Sequence, residues 1–355
     1  MKILLTGGTG YIGSHTAVEL IQRGYEVEII DNLSNSKITV LDSIESITGV
    51  RPKFYHADLM DKEKLDEIMH DTHYDAVIHF AGLKAVGESV ALPLKYYEVN
   101  IGSTINLLKA MKKYGVKKIL FSSSATVYGD QDGVKLTEEH PTGVGITNPY
   151  GRTKYMIEQI LKDESLADAD FEVSLLRYFN PVGSHESGLL GEDPNDIPNN
   201  LMPIVMKVST GEIKELSVYG DDYDTPDGTG MRDFIHVVDL AKGHVAAIEH
   251  IKKGVSIYNL GTGKATSVME MIHAFEKASG NKLPYRITDR RPGDLAKIYA
   301  DPSKAERELG WKAERTIEDA MRDTIRFLKH VAEQNYQATM VPGLSTKTVS
   351  TSVSV

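Results

Sequence analysis

The chain has 355 residues, with 40 Lys and Arg against 50 Asp and Glu, a formal net charge of −10, and no cysteine. That length fits two domains and buries a core without covalent staples, while the missing thiols exclude disulfides, thiolate-bound zinc, iron–sulfur clusters and a cysteine nucleophile. The acidic balance argues against non-specific nucleic-acid binding, which runs on surplus Lys and Arg.

The first residues, Met1 to Gly7, have one charged side chain and, after it, the three apolar residues Ile3, Leu4 and Leu5 before Thr6, which is neither a secretion signal nor a membrane anchor. No apolar run reaches the ~20 residues of a membrane span. Cytoplasm is the expected location and no membrane partner is expected. Short runs rich in Ile, Val, Leu and Phe at 2–6, 26–31, 53–58, 75–81 and 117–124 read as strands, and amphipathic stretches at 12–22, 62–70 and 96–113 read as helices. A helix at 150–163 and a strand at 172–179 follow. Strands alternating with helices predict an α/β fold, a Rossmann-type doubly wound parallel sheet over residues 1–179. From Asn180 the chain becomes rich in Pro and Gly, with short strands at 217–219, 256–260 and 284–288 and helices at 201–209, 237–251, 267–279 and 317–334. Residues 180–336 therefore read as a smaller α+β domain, from which the segment around 237–261 is free to return to the first sheet. Residues 337–355, mostly Ser, Thr and Val, read as a disordered tail.

The residues Gly7, Gly10 and Gly13 lie between the first strand and the first helix. In that place the first glycine permits a tight turn, the second lets a pyrophosphate approach backbone N–H groups, and the third lets helix pack on strand. The helix N-terminus then faces the phosphates, with Tyr11 and Ile12 in its first turn. Asp31 ends the second strand 18 residues past Gly13, where a carboxylate accepts from ribose hydroxyls and repels a 2′-phosphate. The cofactor expected is NAD. Asp58, its neighbour Leu59, and Ala81 with Gly82 end the next strands and line the same crevice.

The fifth strand ends in Ser122-Ser123-Ser124, and Tyr150 and Lys154 follow at i, i+4 on a helix that Pro149 can start. An ammonium beside a phenol stabilises the phenolate, which then serves as a general base toward a sugar or alcohol hydroxyl. Two carboxylate- and imidazole-rich stretches get blander readings. The run Asp221-Asp222-Tyr223-Asp224 lacks calcium-loop spacing and reads as a solvated turn. His70 and His73 have no third partner at regular spacing, so no metal is expected.

The glycine loop with this Ser–Tyr–Lys set resembles the extended short-chain dehydrogenase/reductase family. Five strings resemble its nucleotide-sugar epimerases: 80–89 (FAGLKAVGES), 122–129 (SSSATVYG), 176–183 (LRYFNPVG), 197–203 (IPNNLMP) and 228–237 (GTGMRDFIHV). The resemblance runs in one register from Lys2 to about Leu328. It implies an NAD-dependent isomerase that interconverts UDP-galactose and UDP-glucose at C4 through a 4-keto sugar. Tyr150 is then the base, Lys154 tunes it and contacts the nicotinamide ribose, and Ser124 holds the hexose oxygen. Phe80 and Tyr178 match residues near the nicotinamide, and Asn32, Asn35, Ser36, Lys84 and Asn100 match further cofactor contacts. Thr126, Asn180, Asn200, Leu201, Ser217, Val218, Tyr219, Arg232, Arg291 and Asp294 match contacts to the UDP-sugar. The planar fork of an Arg suits a diphosphate. Position 298 gates sugar size in the family: tyrosine there excludes N-acetylated sugars and a small residue admits them, so Ile298 implies side activity on UDP-N-acetylhexosamines. The family also pairs the helices at 96–113 and 150–163 across a two-fold axis, which implies a homodimer.

Two other readings compete. A nucleotide-sugar 4,6-dehydratase shares the loop and the Tyr/Lys pair but needs an acid and a base after the fifth strand, where this chain has Ala125, Thr126 and Val127. A dinucleotide-sensing regulator loses the tyrosine, which this chain keeps.

Overall fold

The computed structural model describes residues 1–195, 200–291 and 293–340. Residues 197–199 of the fourth string and 341–355 of the expected tail lie outside the described residues.

Strands β1 (Lys2–Thr6), β2 (Glu26–Asp31), β3 (Lys53–His56), β4 (Ala76–His79) and β5 (Lys118–Ser124) join Glu172–Tyr178 and Gly254–Leu260 in a seven-stranded sheet. The spatial order is Gly254–Leu260, Glu172–Tyr178, β5, β4, β1, β2, β3, and every pairing is parallel. This is the Rossmann-type doubly wound sheet. Strand order reverses between β1 and β4, so a crevice opens at their carboxyl ends.

Both faces of the sheet are covered. Ile3 and Leu5 of β1 pack with α1 (Tyr11–Gln22) and the helices Val40–Thr48 and Val237–Glu249. Leu4, between them, packs with Lys62–Asp71, Gly102–Lys113 and Pro149–Ala167. Burial on both faces is why these strands are continuous apolar runs and not alternating ones.

The second region has its own core, in which Val205, Leu216, Met271, Phe275 and Met321 meet. Helices Leu201–Ser209, Val268–Ser279 and Ile317–Met340 and the strand Leu216–Tyr219 supply it. Leu216–Tyr219 pairs in parallel with Tyr285–Thr288. Asn180–Val182 pairs in parallel with Phe234–His236. Met231–Arg232 lies between Thr266–Ser267 and Lys297–Ala300, and Lys297–Ala300 also pairs with Lys135–Leu136 from the first half of the chain.

Several segments differ from the expectation, among them helices Val86–Ala91 and Ser303–Leu309, which are additional. The helix expected at 96–113 is Pro93–Tyr96, then a π-helical turn Tyr97–Ile101, then Gly102–Lys113. Helix Val40–Thr48 is additional; Val40, Leu41, Ile44 and Ile47 stand at helical spacing and Gly49 ends it at φ +75°. The last helix continues past 334 to Met340, because no Gly or Pro interrupts the sequence before Pro342.

Candidate active site

The glycine loop sits at the point where strand order reverses. Gly7 holds φ +71°, and a Cβ on it would stand 2.7 Å from the Ala81 nitrogen at the end of β4. A Cβ on Gly13 would stand 2.5 Å from the Gly7 carbonyl, whereas one on Gly10 would meet just that carbonyl, at 3.3 Å. Gly7 and Gly13 thus let backbones approach one another, and Gly10 keeps the space in front of the helix open. No side chain caps α1 at Gly10. Its first N–H groups and the positive end of its dipole face the crevice, as an anion requires. Tyr11 turns away and donates to the Gly183 carbonyl at 2.6 Å, and Ile12 packs on the core.

Asp31 organises the loop after β2. Its carboxylate accepts from Thr9 N (3.1 Å), Leu33 N (2.9 Å) and the Ser36 hydroxyl (3.3 Å). Leu33 is held at φ +56°, the sole non-glycine in that region among the described residues. Asn35 sits on the same loop. Asn32 donates to Asp58 at 2.8 Å, and Leu59 beside it is buried. Across the crevice, Lys84 pairs with the buried Glu192 at 3.1 Å.

The π-helical turn places Asn100. Its side chain accepts from Leu83 N at 2.7 Å and donates to Leu83 O at 3.0 Å and to the Thr153 hydroxyl at 3.1 Å. Gly82, at φ +157°, packs on the same amide. Asn100 therefore ties the loop after β4 to the helix that carries Tyr150.

That helix, Pro149–Ala167, is started by Pro149 and capped by Asn148, whose side chain accepts from Gly151 N at 2.8 Å. Tyr150 and Lys154 stand one turn apart at the end of β5. The Ser124 side chain neighbours the Tyr150 phenol and favours its anion. Lys154 Nζ donates to the Ser122 carbonyl at 2.5 Å and lies 4.7 Å from the centre of the Phe121 ring and 5.9 Å from that of Tyr150. Burial raises the Tyr150 pKa, and Ser124 offsets part of that rise. Burial also pulls Lys154 down to about 7. The downward pull expected of the Lys154 ammonium is not among the causes of the Tyr150 shift, in which burial dominates and Ser124 opposes it.

Tyr178 is hydrogen-bonded to His244, whose ring is 5.0 Å from Phe80. Thr126 N donates to the Ser124 hydroxyl at 3.2 Å, while the Thr126 hydroxyl is buried with no protein partner. An orphaned hydroxyl in this position fits a ligand oxygen.

In the second region Arg232 and Arg291 converge on Asp294, at 3.8 and 2.8 Å. Arg232 is further held by the Met231 and Leu295 carbonyls, both at 2.9 Å. Burial lowers its pKa and Asp294 opposes that. Arg291 lies 4.7 Å over the Tyr219 ring, and Ser217 and the buried Val218 share that strand. Ile298 is the cross-strand neighbour of Arg232 and also packs on the cluster of Val127, Tyr128 and Phe179. It therefore stands between the arginines and the Ser124 end of the site. Asn180 N donates to Asp233 O at 2.9 Å on the adjoining pair of strands. Asn200 is the first residue before helix Leu201–Ser209 and makes no side-chain cap, and Leu201 packs on the second core.

Sequence reasoning passed over Ser122, Thr153, Glu192, His244 and Tyr223. The Tyr223 hydroxyl is buried without a partner, its ring 4.0 Å from Arg290. None stands at a spacing that signals a role; each acts through a contact made far away in the chain. Among the described residues no group of His, Asp and Glu is arranged to hold a metal ion.

Residues 4–324 match the family model described as GDP-mannose 4,6 dehydratase. The chain is 58% identical over 329 residues to the UDP-glucose 4-epimerase of Bacillus subtilis, covering 92% of this chain and 96% of that one. It is 56% identical over 325 residues to the UDP-glucose 4-epimerase of Dictyostelium discoideum, covering 91% and 94%. Among solved structures, the Bifidobacterium longum UDP-glucose 4-epimerase in complex with NAD+ and UDP superposes with a TM-score of 0.90 at 58% identity, covering 93% of this chain and 98% of that one. The UDP-Glc/GlcNAc 4-epimerase of Campylobacter jejuni superposes with a TM-score of 0.80 at 34% identity, covering 93% and 99%.

Proposed function

Since the chain belongs to the UDP-glucose 4-epimerase family, we propose that its crevice and its Tyr150 site together carry out that family's chemistry. The reaction is the NAD-dependent epimerisation of a UDP-sugar at C4, and the enzyme is an isomerase. When bound, NAD supplies a hydride acceptor that takes hydrogen from C4 and returns it to the opposite face of the 4-ketone.

The chain's own residues do the rest. The first turn of α1 and the open space at Gly10 receive the pyrophosphate, and Asp31 accepts from the adenosine ribose and disfavours a 2′-phosphate. Asn32, Asn35, Ser36, Asp58, Leu59, Lys84 and Asn100 frame the cofactor, and Phe80 and Tyr178 flank the nicotinamide. Tyr150 takes the proton from the sugar 4-hydroxyl as the hydride leaves, and gives it back on return. Ser124 and Thr126 hold the hexose oxygens. Arg232 and Arg291 grip the diphosphate and Asp294 the uridine ribose. Tight hold at that end and a loose hold on the hexose let the ketone turn over. Residues 1–179 with 237–261 form the NAD part and the rest of 180–336 the UDP-sugar part.

The dehydratase reading lacks its catalytic acid: Ala125, Thr126 and Val127 follow β5, with no carboxylate. We also read the protein as a homodimer of the cytoplasm. Exposed Val90, Leu94 and Met156 support a second copy on the helix pair that includes Pro149–Ala167, and no helix among the described residues is long and apolar enough to cross a membrane.

The observation that carries the reading is the placing of Tyr150 and Lys154 one helical turn apart beside the end of β5, where Ser124 neighbours the phenol and Lys154 Nζ donates to the Ser122 carbonyl. Incubating the purified protein with UDP-galactose tests it. UDP-glucose is the expected product; a 4-keto-6-deoxy sugar would assign a dehydratase, and no product a sensor.

A further inference from the structure

Beneath the Tyr150 site lies an ionic network that the chemistry above does not use. Glu158 is 0% exposed and Arg177 2%. The guanidinium grips the carboxylate with two bonds, Nε to Oε1 at 2.9 Å and Nη2 to Oε2 at 2.7 Å. Arg177 Nη1 donates to the Tyr128 hydroxyl at 3.0 Å, which donates to Asn259 Oδ1 at 2.7 Å. The Ser123 hydroxyl donates to Glu158 Oε1 at 2.6 Å. Lys162, a turn further on, lies 3.9 Å from Glu158.

Three of its members, Glu158, Ser123 and Arg177, stand next to residues of the site. Tyr150, Lys154 and Glu158 follow one another at four-residue spacing on one face of one helix. Ser123 precedes Ser124 and Arg177 precedes Tyr178, and the two strands pair Ser123 with Arg177 and Ser124 with Tyr178. Stability does not account for such a pair. Desolvation consumes most of the Coulomb gain of a buried ion pair, and replacing both partners by apolar residues is often neutral or stabilising. What a two-bond grip does supply is a fixed register between the elements it joins.

We propose that Glu158 and Arg177 are positioning residues: their pair locks the Pro149–Ala167 helix against β5 and its neighbouring strand so that Tyr150 and Lys154 stay aligned with Ser124 and Tyr178. A slip of one helical residue moves the phenol by about 1.5 Å, and a misplacement of ~1 Å costs on the order of 10²-fold in rate. The inference rests on Tyr150, Lys154 and Ser124 being the reacting set.

The test is the double variant Glu158→Leu/Arg177→Met, which removes the lock without stranding a buried charge. Its expected behaviour is a thermal midpoint at or above that of the parent enzyme, unchanged NAD content, unchanged KM for UDP-galactose, and a kcat lower by about 10- to 100-fold. A folded double variant with the parent kcat overturns the proposal. If the double variant does not fold, Ser123→Ala decides, since it loosens the lock by one bond. A severalfold lower kcat at unchanged KM and thermal midpoint supports the proposal, and the parent kcat overturns it. Tyr150→Phe is measured alongside: parental rates in that variant would show that the reacting set itself is misassigned, whatever the pair does.

Discussion

A phenol is a poor base until something holds its anion, and at Tyr150 the protein surroundings pull both ways. Burial favours the neutral phenol, Ser124 favours the anion, and Lys154 is itself pulled to about 7 by burial. The positive charge of an oxidised nicotinamide beside the phenol would add to the side of the anion. Replacing Tyr150 by Phe should leave bound NAD unchanged and lower kcat by about 10²–10⁴-fold, the usual worth of a positioned base; steady-state rates and NAD content check it. Ile298 carries the specificity prediction. Lacking a hydroxyl, and intermediate in size, it should give UDP-galactose the higher kcat/KM and UDP-N-acetylgalactosamine a lower but measurable one. An equal or higher value for the acetylated sugar would contradict this. Much at this scale was legible in sequence, because Tyr150 and Lys154 stand four apart behind Pro149 and Asp31 ends a strand. The opposing pull of burial was not, because it depends on which side chains close over the helix.

At the scale of elements, the first strand, glycine loop and α1 were legible because a tight turn leaves few residue choices. The three glycines nonetheless do different work, and this is testable. Gly13→Ala drives a methyl to 2.5 Å from the Gly7 carbonyl and should lower both the thermal midpoint and NAD content. Gly10→Ala meets little of the protein, so the fold should hold while NAD content falls. Equal effects in the two variants, read by differential scanning fluorimetry and by NAD release, would contradict the division of labour. The π-helical turn at Tyr97–Ile101 was not legible. Helical periodicity runs through it, and the cause of the extra residue lies elsewhere: the Asn100 amide must reach Leu83 and Thr153 at once. π-helical turns gather at functional sites for such reasons. The strands Asn180–Val182, Met231–Arg232, Phe234–His236 and Thr266–Ser267 escaped the sequence reading too, since two or three residues leave no period to detect.

For the whole molecule, the seven-stranded sheet followed from apolar runs, whereas the reach of Lys135–Leu136 into the second region rests on pairings that sequence does not announce. Buried histidines set the acid limit. Burial holds His15 and His79 down at about 3 and His244 at about 4, against 6.5 ordinarily. Below pH 6.5 the unfolded chain binds protons that the folded chain refuses, so stability falls as pH falls, by about 1.4 kcal/mol per pH unit for each such group. The urea midpoint should therefore be level from pH 8 to 7 and drop steeply between pH 6.5 and 4.5; a level midpoint down to pH 5 would contradict this. The net charge of −10 has little bearing on the ligands, because the groups we propose to meet their phosphates are local: one helix N-terminus, and Arg232 with Arg291. The central claim is that the hydrogen at C4 leaves and returns as hydride without meeting water. UDP-galactose carrying deuterium at C4, turned over in ordinary water and followed by NMR, tests it directly. UDP-glucose with the deuterium still at C4 is the expected product. Replacement of that deuterium by solvent hydrogen would contradict it.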